Sequence, residues 1–141
     1  MRSLLAATVL VLAVAAIGTS IAIQQGLPAE FGGRGDPDNV AGEFITRGTA
    51  MSPPLTTLLV LVGAVALCLR RDLLAKLGLV GIIVLGVLFT IGGLAEPNDP
   101  QGSSVPAALH GVLKFLGVAA SITMALLALR ELVGRFVRTP L

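Results

Sequence analysis

The sequence predicts an all-α protein: a four-helix transmembrane bundle running up-down-up-down, with a long extracytoplasmic loop between its first two helices. Three observations predict it. Hydrophobic residues make up 55% of the 141-residue chain and charged residues only 13%, about half the charged share of a soluble domain. The apolar residues collect in four runs, and most of the charges fall between them. The apolar mass is aliphatic, with five Phe and no Trp or Tyr, a composition suited to helices packed in lipid. A water-facing globule is excluded because it has too little charge to cover its surface. Disorder is excluded because it requires low hydrophobicity.

The first predicted span, residues 3–23, contains no charged side chain. The second is expected over residues 52–70, because a start near Ser52 puts Pro53 and Pro54 in the first turn, where a missing N–H costs nothing. The third, 77–95, is again uncharged, and the fourth, 105–129, is apolar apart from His110 and Lys114. Crossing a hydrocarbon core of about 30 Å takes about 20 such residues, so the whole chain, 1–141, is read as a single membrane domain. Its outline resembles that of small four-helix bacterial membrane families such as the DoxX-like proteins. A loose Gly111-Val112-Leu113-Lys114 echo is the one local similarity.

Charge sets the expected orientation. With the N-terminus inside, the inner segments hold Arg2, Arg70, Arg71, Lys76, Arg130, Arg135 and Arg138, against Arg34 and Arg47 outside. Basic segments resist translocation, so both termini are expected in the cytoplasm of a bacterial inner membrane. The acids Glu30, Asp36, Asp38, Glu43, Glu96 and Asp99 fall outside, and Asp72 and Glu131 inside. Residues 1–22 also have the outline of a secretory signal ending in Ser20-Ile21-Ala22. Their apolar run exceeds the usual 7–15-residue signal core, which favours retention.

The outer loop, 24–51, opens with turn material, Gly32-Gly33-Arg34-Gly35-Asp36-Pro37. A short helix is expected after Asp38 or Asn39, with Val40 and Phe44 on one face and Glu43 and Arg47 pairing at i, i+4. The Asp36, Asp38 and Asn39 cluster departs from calcium-loop spacing, with Val40 at its fifth position. No metal site is expected there.

His110 and Lys114 are the ionisable residues within the spans. Four apart, they share one face of the fourth helix with Gly117, Ser121, Ala125 and Ala128, while Val112, Phe115, Ile122, Leu126 and Leu129 form the opposite face. The small and polar stripe should point inward, where small residues allow close helix approach. Two roles fit His110 and Lys114. In one they line an outward-opening pocket for an anionic or carbonyl-bearing group, with Glu96 as counter-ion. In the other Lys114 snorkels from about 9–12 Å below the surface and His110 is interfacial. Small stripes at Gly86, Thr90 and Gly93, and at Thr57, Ala64 and Cys68, are expected to serve helix packing, and Cys68 to be a buried, inert thiol.

No phosphate loop, paired-His haem site, Cys pair or nucleophile elbow occurs, so no catalytic residue, metal or cofactor is assigned. The lack of aromatic platforms argues against nucleic acid. The expected partners are membrane lipids, together with a protein partner or a second copy within the bilayer. The expected function is a non-catalytic accessory or assembly subunit of a membrane complex; the alternative is an enzyme or carrier for a lipid- or quinone-like molecule using His110 and Lys114 near the outer leaflet, with Glu96 beside them. A small multidrug exporter ranks last, because no carboxylate lies within a span.

Overall fold

The computed structural model of the chain describes residues 1–30, 32–70, 72–98 and 103–138, the last without its side chain; expectations placed on Arg71, Asp99 and the Arg138 side chain lie outside them. Regular structure among the described residues is helical: α1 (Arg2–Gln25), a 3-10 turn (Pro37–Asn39), α2 (Val40–Glu43), α3 (Leu55–Cys68), α4 (Leu73–Ala95) and α5 (Ala107–Arg138). Helices α1, α4 and α5 are long and apolar enough to cross a membrane. Each extends beyond its expected bounds on at least one side, α5 most of all.

Helix α3 is shorter than the expected span over 52–70. It begins at Leu55, ends at Cys68 and has 14 residues, a length of about 21 Å against a hydrocarbon core of about 30 Å. Two consecutive prolines are the cause. A residue before proline is driven out of the α region, which bars Ser52 and Pro53 from the helix. Pro54 accordingly takes an extended conformation (φ −57°, ψ 145°) at the N-cap.

Helix α1 packs on α5, α5 on α4, and α4 on α3. Leu4, Val11, Leu61, Leu79, Ile82 and Met124 form one buried cluster drawn from all four. Small residues set the closest approaches, as expected. A Cβ on Gly78 would lie 2.5 Å from the Ala64 carbonyl oxygen, and one on Gly86 would lie 2.8 Å from Ala125 Cβ. The α5 face carrying Val112, Phe115, Ile122, Leu126 and Leu129 is exposed, with Phe115 at 70%, while His110, Ser121 and Ala128 on the other face are buried.

Polar groups separate to the two ends of the molecule. At the basic end, Met1 meets Glu131, Arg135 donates to the Cys68 carbonyl at 3.1 Å, and Lys76 lies 4.2 Å from the Phe136 ring centre. At the loop end, Glu96 Oε2 accepts from the Glu30 N–H at 3.1 Å and Ser104 meets Gln25. The middle is mostly aliphatic, and the hydroxyls of Thr8, Thr90, Ser121 and Thr123 there donate to carbonyls of their own helices.

Candidate functional site

The site is built by the chain's return from the loop end into α3. Helix α1 stops at Gly26, whose left-handed conformation (φ 64°, ψ 42°) lets Leu27 N–H reach the Ala22 carbonyl at 2.9 Å. Leu27, Pro28 and Ala29 then fold inward and are buried. The Gly32–Asp36 stretch is held in place by α2: Glu43 Oε2 accepts from Asp36 N–H at 3.1 Å, and Arg47 donates to the Gly33 carbonyl. The expected Glu43–Arg47 pair forms, at 3.4 Å. The expected helix starts at Val40 but is brief. It gives way after Glu43 to tighter turns in which Ile45 N–H meets the Gly42 carbonyl at 3.4 Å and Thr46 N–H the Glu43 carbonyl at 3.1 Å. The Asp36 side chain accepts from Asp38 N–H and seats the 3-10 turn before it.

After Arg47 the chain descends. Gly48, at φ 85°, turns it, and a Cβ there would lie 2.6 Å from the Ser52 carbonyl oxygen. Ser52 Oγ pairs with Thr19 Oγ1 at 2.7 Å and with Thr49 Oγ1 at 2.9 Å. Met51 lies so close to α1 that a Cβ on Gly18 would sit 2.4 Å from its carbonyl oxygen. Thr19 is six residues before the end of α1, so the segment reaches about 9 Å below that end. The segment packs against α1 and borders a cavity. Two of the first N–H groups of α3 find acceptors in the turn above: Leu55 donates to the Phe44 carbonyl at 2.9 Å and Thr56 to the Ile45 carbonyl at 3.2 Å. The expected outer loop, 24–51, is thus partly an inward-folded segment.

Between this segment and α1, α4 and α5 lies a cavity of about 280 Å³. Its deeper wall is mostly apolar, with Val11, Val14, Leu88, Phe89 and Val118 beside Ser121, and its loop-end side carries Arg47, Glu96, His110 and Lys114. All three residues expected at a ligand site therefore line one cavity. His110 is 2% exposed and so is buried against the protein. Its Nε2 lies 3.2 Å from the Pro97 carbonyl oxygen, and its Nδ1 is buried with no hydrogen-bond partner among the described residues. Lys114 Nζ reaches upward, donating to the Glu96 carbonyl at 2.6 Å and to Asn98 Oδ1 at 2.8 Å. The same side chain lines the cavity and reaches the turn after α4. The Glu96 contact with Lys114 is through its main-chain oxygen, while its carboxylate accepts from Glu30.

Arg47, the 49–54 segment and Thr57 also line the cavity and were not foreseen as site residues. The one local signal for them is Ser52-Pro53-Pro54, which forbids helix where a span was expected. Among the described residues no group of three His, Cys, Asp or Glu side chains comes together to hold a metal ion. No protein-family model matches this chain, DoxX-like outline notwithstanding, and no curated protein or solved structure is significantly similar to it.

Proposed function

We propose that this is a multi-pass membrane protein whose cavity binds a lipid- or quinone-like amphiphile through His110 and Lys114. The observation that carries the reading is a cavity with a largely apolar lining and with Arg47, Glu96, His110 and Lys114 gathered at its loop end. Ionisable residues at membrane depth mark ligand or ion sites by default. The accompanying topology is a single four-helix domain with α3 completing its crossing through the 48–54 segment, α1 retained, both termini cytoplasmic and the cavity in the outer leaflet of a bacterial inner membrane. The gathering of Arg2, Arg70, Lys76, Arg130 and Arg135 at one end supports it.

Native mass spectrometry of the protein purified in mild detergent tests the reading. Wild type should carry an amphiphile that His110→Leu/Lys114→Leu loses. A double variant that keeps every bound species at the wild-type level refutes the cavity as a binding site. Reporter fusions test the topology: a cytoplasmic reporter should be active at the C-terminus and inactive when inserted after Gly33.

A second reading, an accessory or assembly subunit, draws on the basic end of α5. That helix has 32 residues, about 48 Å, and beyond Arg130 it exposes Val133, Phe136 and Val137, the last at 78%. A partner protein or second copy covering this stripe would be released by Val133→Glu/Val137→Glu without disturbing the cavity. Recovery of wild type as a partnerless monomer in mild detergent would remove this reading.

A further inference from the structure

We infer that the cavity opens sideways between the first turn of α3 and the last turns of α4, so that its ligand enters from the bilayer and keeps an aliphatic chain in that gap. This rests on the reading that an amphiphile occupies the cavity, and it adds the route of entry and the place of the chain. The two helices are in contact toward the basic end, where a Cβ on Gly81 would lie 3.3 Å from Ala64 Cβ. Gly92 follows Gly81 by eleven residues, about three turns and about 16 Å, and so points to within about 20° of the same direction. A Cβ there would meet nothing within 4 Å. Helix α3, which covers Gly81, leaves Gly92 uncovered.

The spacing of residues shows why. Helices joined by so short a link as that between Cys68 and Leu73 run antiparallel. With Ala64 beside Gly81, Thr57 comes level with Leu88, and Pro53 comes level with Gly92. The two prolines have ended the helix there. Thr57, Leu88, Pro53 and Gly92 all line the cavity, and Leu88 is 54% exposed, so the cavity reaches the surface on this side. The gap has aliphatic walls. Thr57 donates its hydroxyl to the Pro54 carbonyl at 2.7 Å, which leaves its methyl group for contact. Val60, Val84 and Ile91, three or four residues along from Thr57 and Leu88, are exposed and continue the aliphatic surface outward. In a membrane such a surface meets lipid. Arg47, Glu96, His110 and Lys114 stand at the loop end of the same cavity. A molecule that fills both parts is polar at one end and aliphatic along the other, which is the build of a membrane lipid.

The chain has no Trp, so single indoles can report on the gap. Leu88→Trp places one in it. Gly63→Trp places one on α3 away from the cavity, where nothing lies within 4 Å of a new Cβ. The full chain is titrated in detergent with 9,10-dibromostearic acid, whose bromines lie in its chain. The probe should quench Leu88→Trp saturably and in competition with oleic acid, and Gly63→Trp only in proportion to the probe dissolved in the micelle. Gly92→Trp fills the gap. Native mass spectrometry should show it binding oleic acid about tenfold more weakly than wild type, with Gly63→Trp binding as wild type does. In vesicles, phosphatidylcholine brominated in its chains should quench Leu88→Trp more strongly than iodide does. Saturable quenching absent from Leu88→Trp, or Gly92→Trp binding oleic acid as tightly as wild type, takes the chain out of the gap. Either result overturns the inference, while oleic acid bound to wild type leaves the amphiphile reading standing. Stronger quenching by iodide puts the mouth in water and overturns the lateral route. A wild type that binds no oleic acid and carries no other amphiphile overturns the amphiphile reading, and the inference with it.

Discussion

Gly78→Ala isolates the contact that joins α3 to α4. The new Cβ would lie 2.5 Å from the Ala64 carbonyl oxygen and 2.9 Å from both the Cys68 nitrogen and its Sγ. The first distance is about 1 Å inside ordinary contact, and two of the three opposing atoms are backbone, so the helices themselves must part. Overpacking of this kind costs about 1–3 kcal/mol. Alanine's helix propensity over glycine returns about 0.8–1.0 kcal/mol. Because the obstacle is backbone, the upper part of the range applies, and the net destabilisation is about 1–2 kcal/mol. Cys68 is the chain's one cysteine, 1% exposed and part of this contact, so its labelling by a thiol reagent reports the opening of α3 from α4. A loss of 1–2 kcal/mol raises the open population, and the labelling rate, about 5- to 30-fold. Gly63→Ala on α3, where nothing lies within 4 Å of the new Cβ, is the control and should label at or below the wild-type rate. Labelling of Gly78→Ala at the Gly63→Ala rate would refute the claimed helix approach.

Two further outcomes follow from the packing. Ser52→Ala removes the shared partner of Thr19 and Thr49, at about 1 kcal/mol for each hydrogen bond. It should loosen the return segment ahead of the helices, read as faster hydrogen exchange at residues 48–54 with α4 protection unchanged; exchange rising equally everywhere would count against a locally pinned segment. Met124→Ala empties a fully buried position in the core shared by all four long helices. It should cost about 2–5 kcal/mol in reversible unfolding in mixed micelles, and a loss below 1 kcal/mol would mean that the four helices do not share one core.

The charged rim of the cavity performs two tasks at once. Lys114 ties α5 to the turn that follows α4 through Glu96 O and Asn98 Oδ1, and it also lines the cavity. Replacing it would change the stability of that turn as well as the cavity wall. Arg47 is bound up differently, with Glu43 and the Gly33 carbonyl holding it in the loop.

Composition and periodicity alone determine the helical class, the membrane-compatible lengths of α1, α4 and α5, and the inward face of α5. Each is a property of neighbouring residues along one helix: an uncharged run of about 20 residues leaves few alternatives to a spanning helix, and residues four apart share a face. His110 and Lys114 stood out for the same reason, as polar exceptions on an otherwise apolar helix. The course of residues 48–54 was beyond such reasoning. It depends on Gly18 leaving room for Met51, on Thr19 meeting Ser52, and on carbonyls of Phe44 and Ile45 serving the first turn of α3. These are contacts between residues far apart in the chain, with no periodic signature. The cavity exists because that segment holds the start of α3 where it does. Its polar rim depends on which donors and acceptors the fold consumes first, and only three-dimensional packing decides that Pro97 meets Nε2 of His110 while Nδ1 is buried with no partner among the described residues.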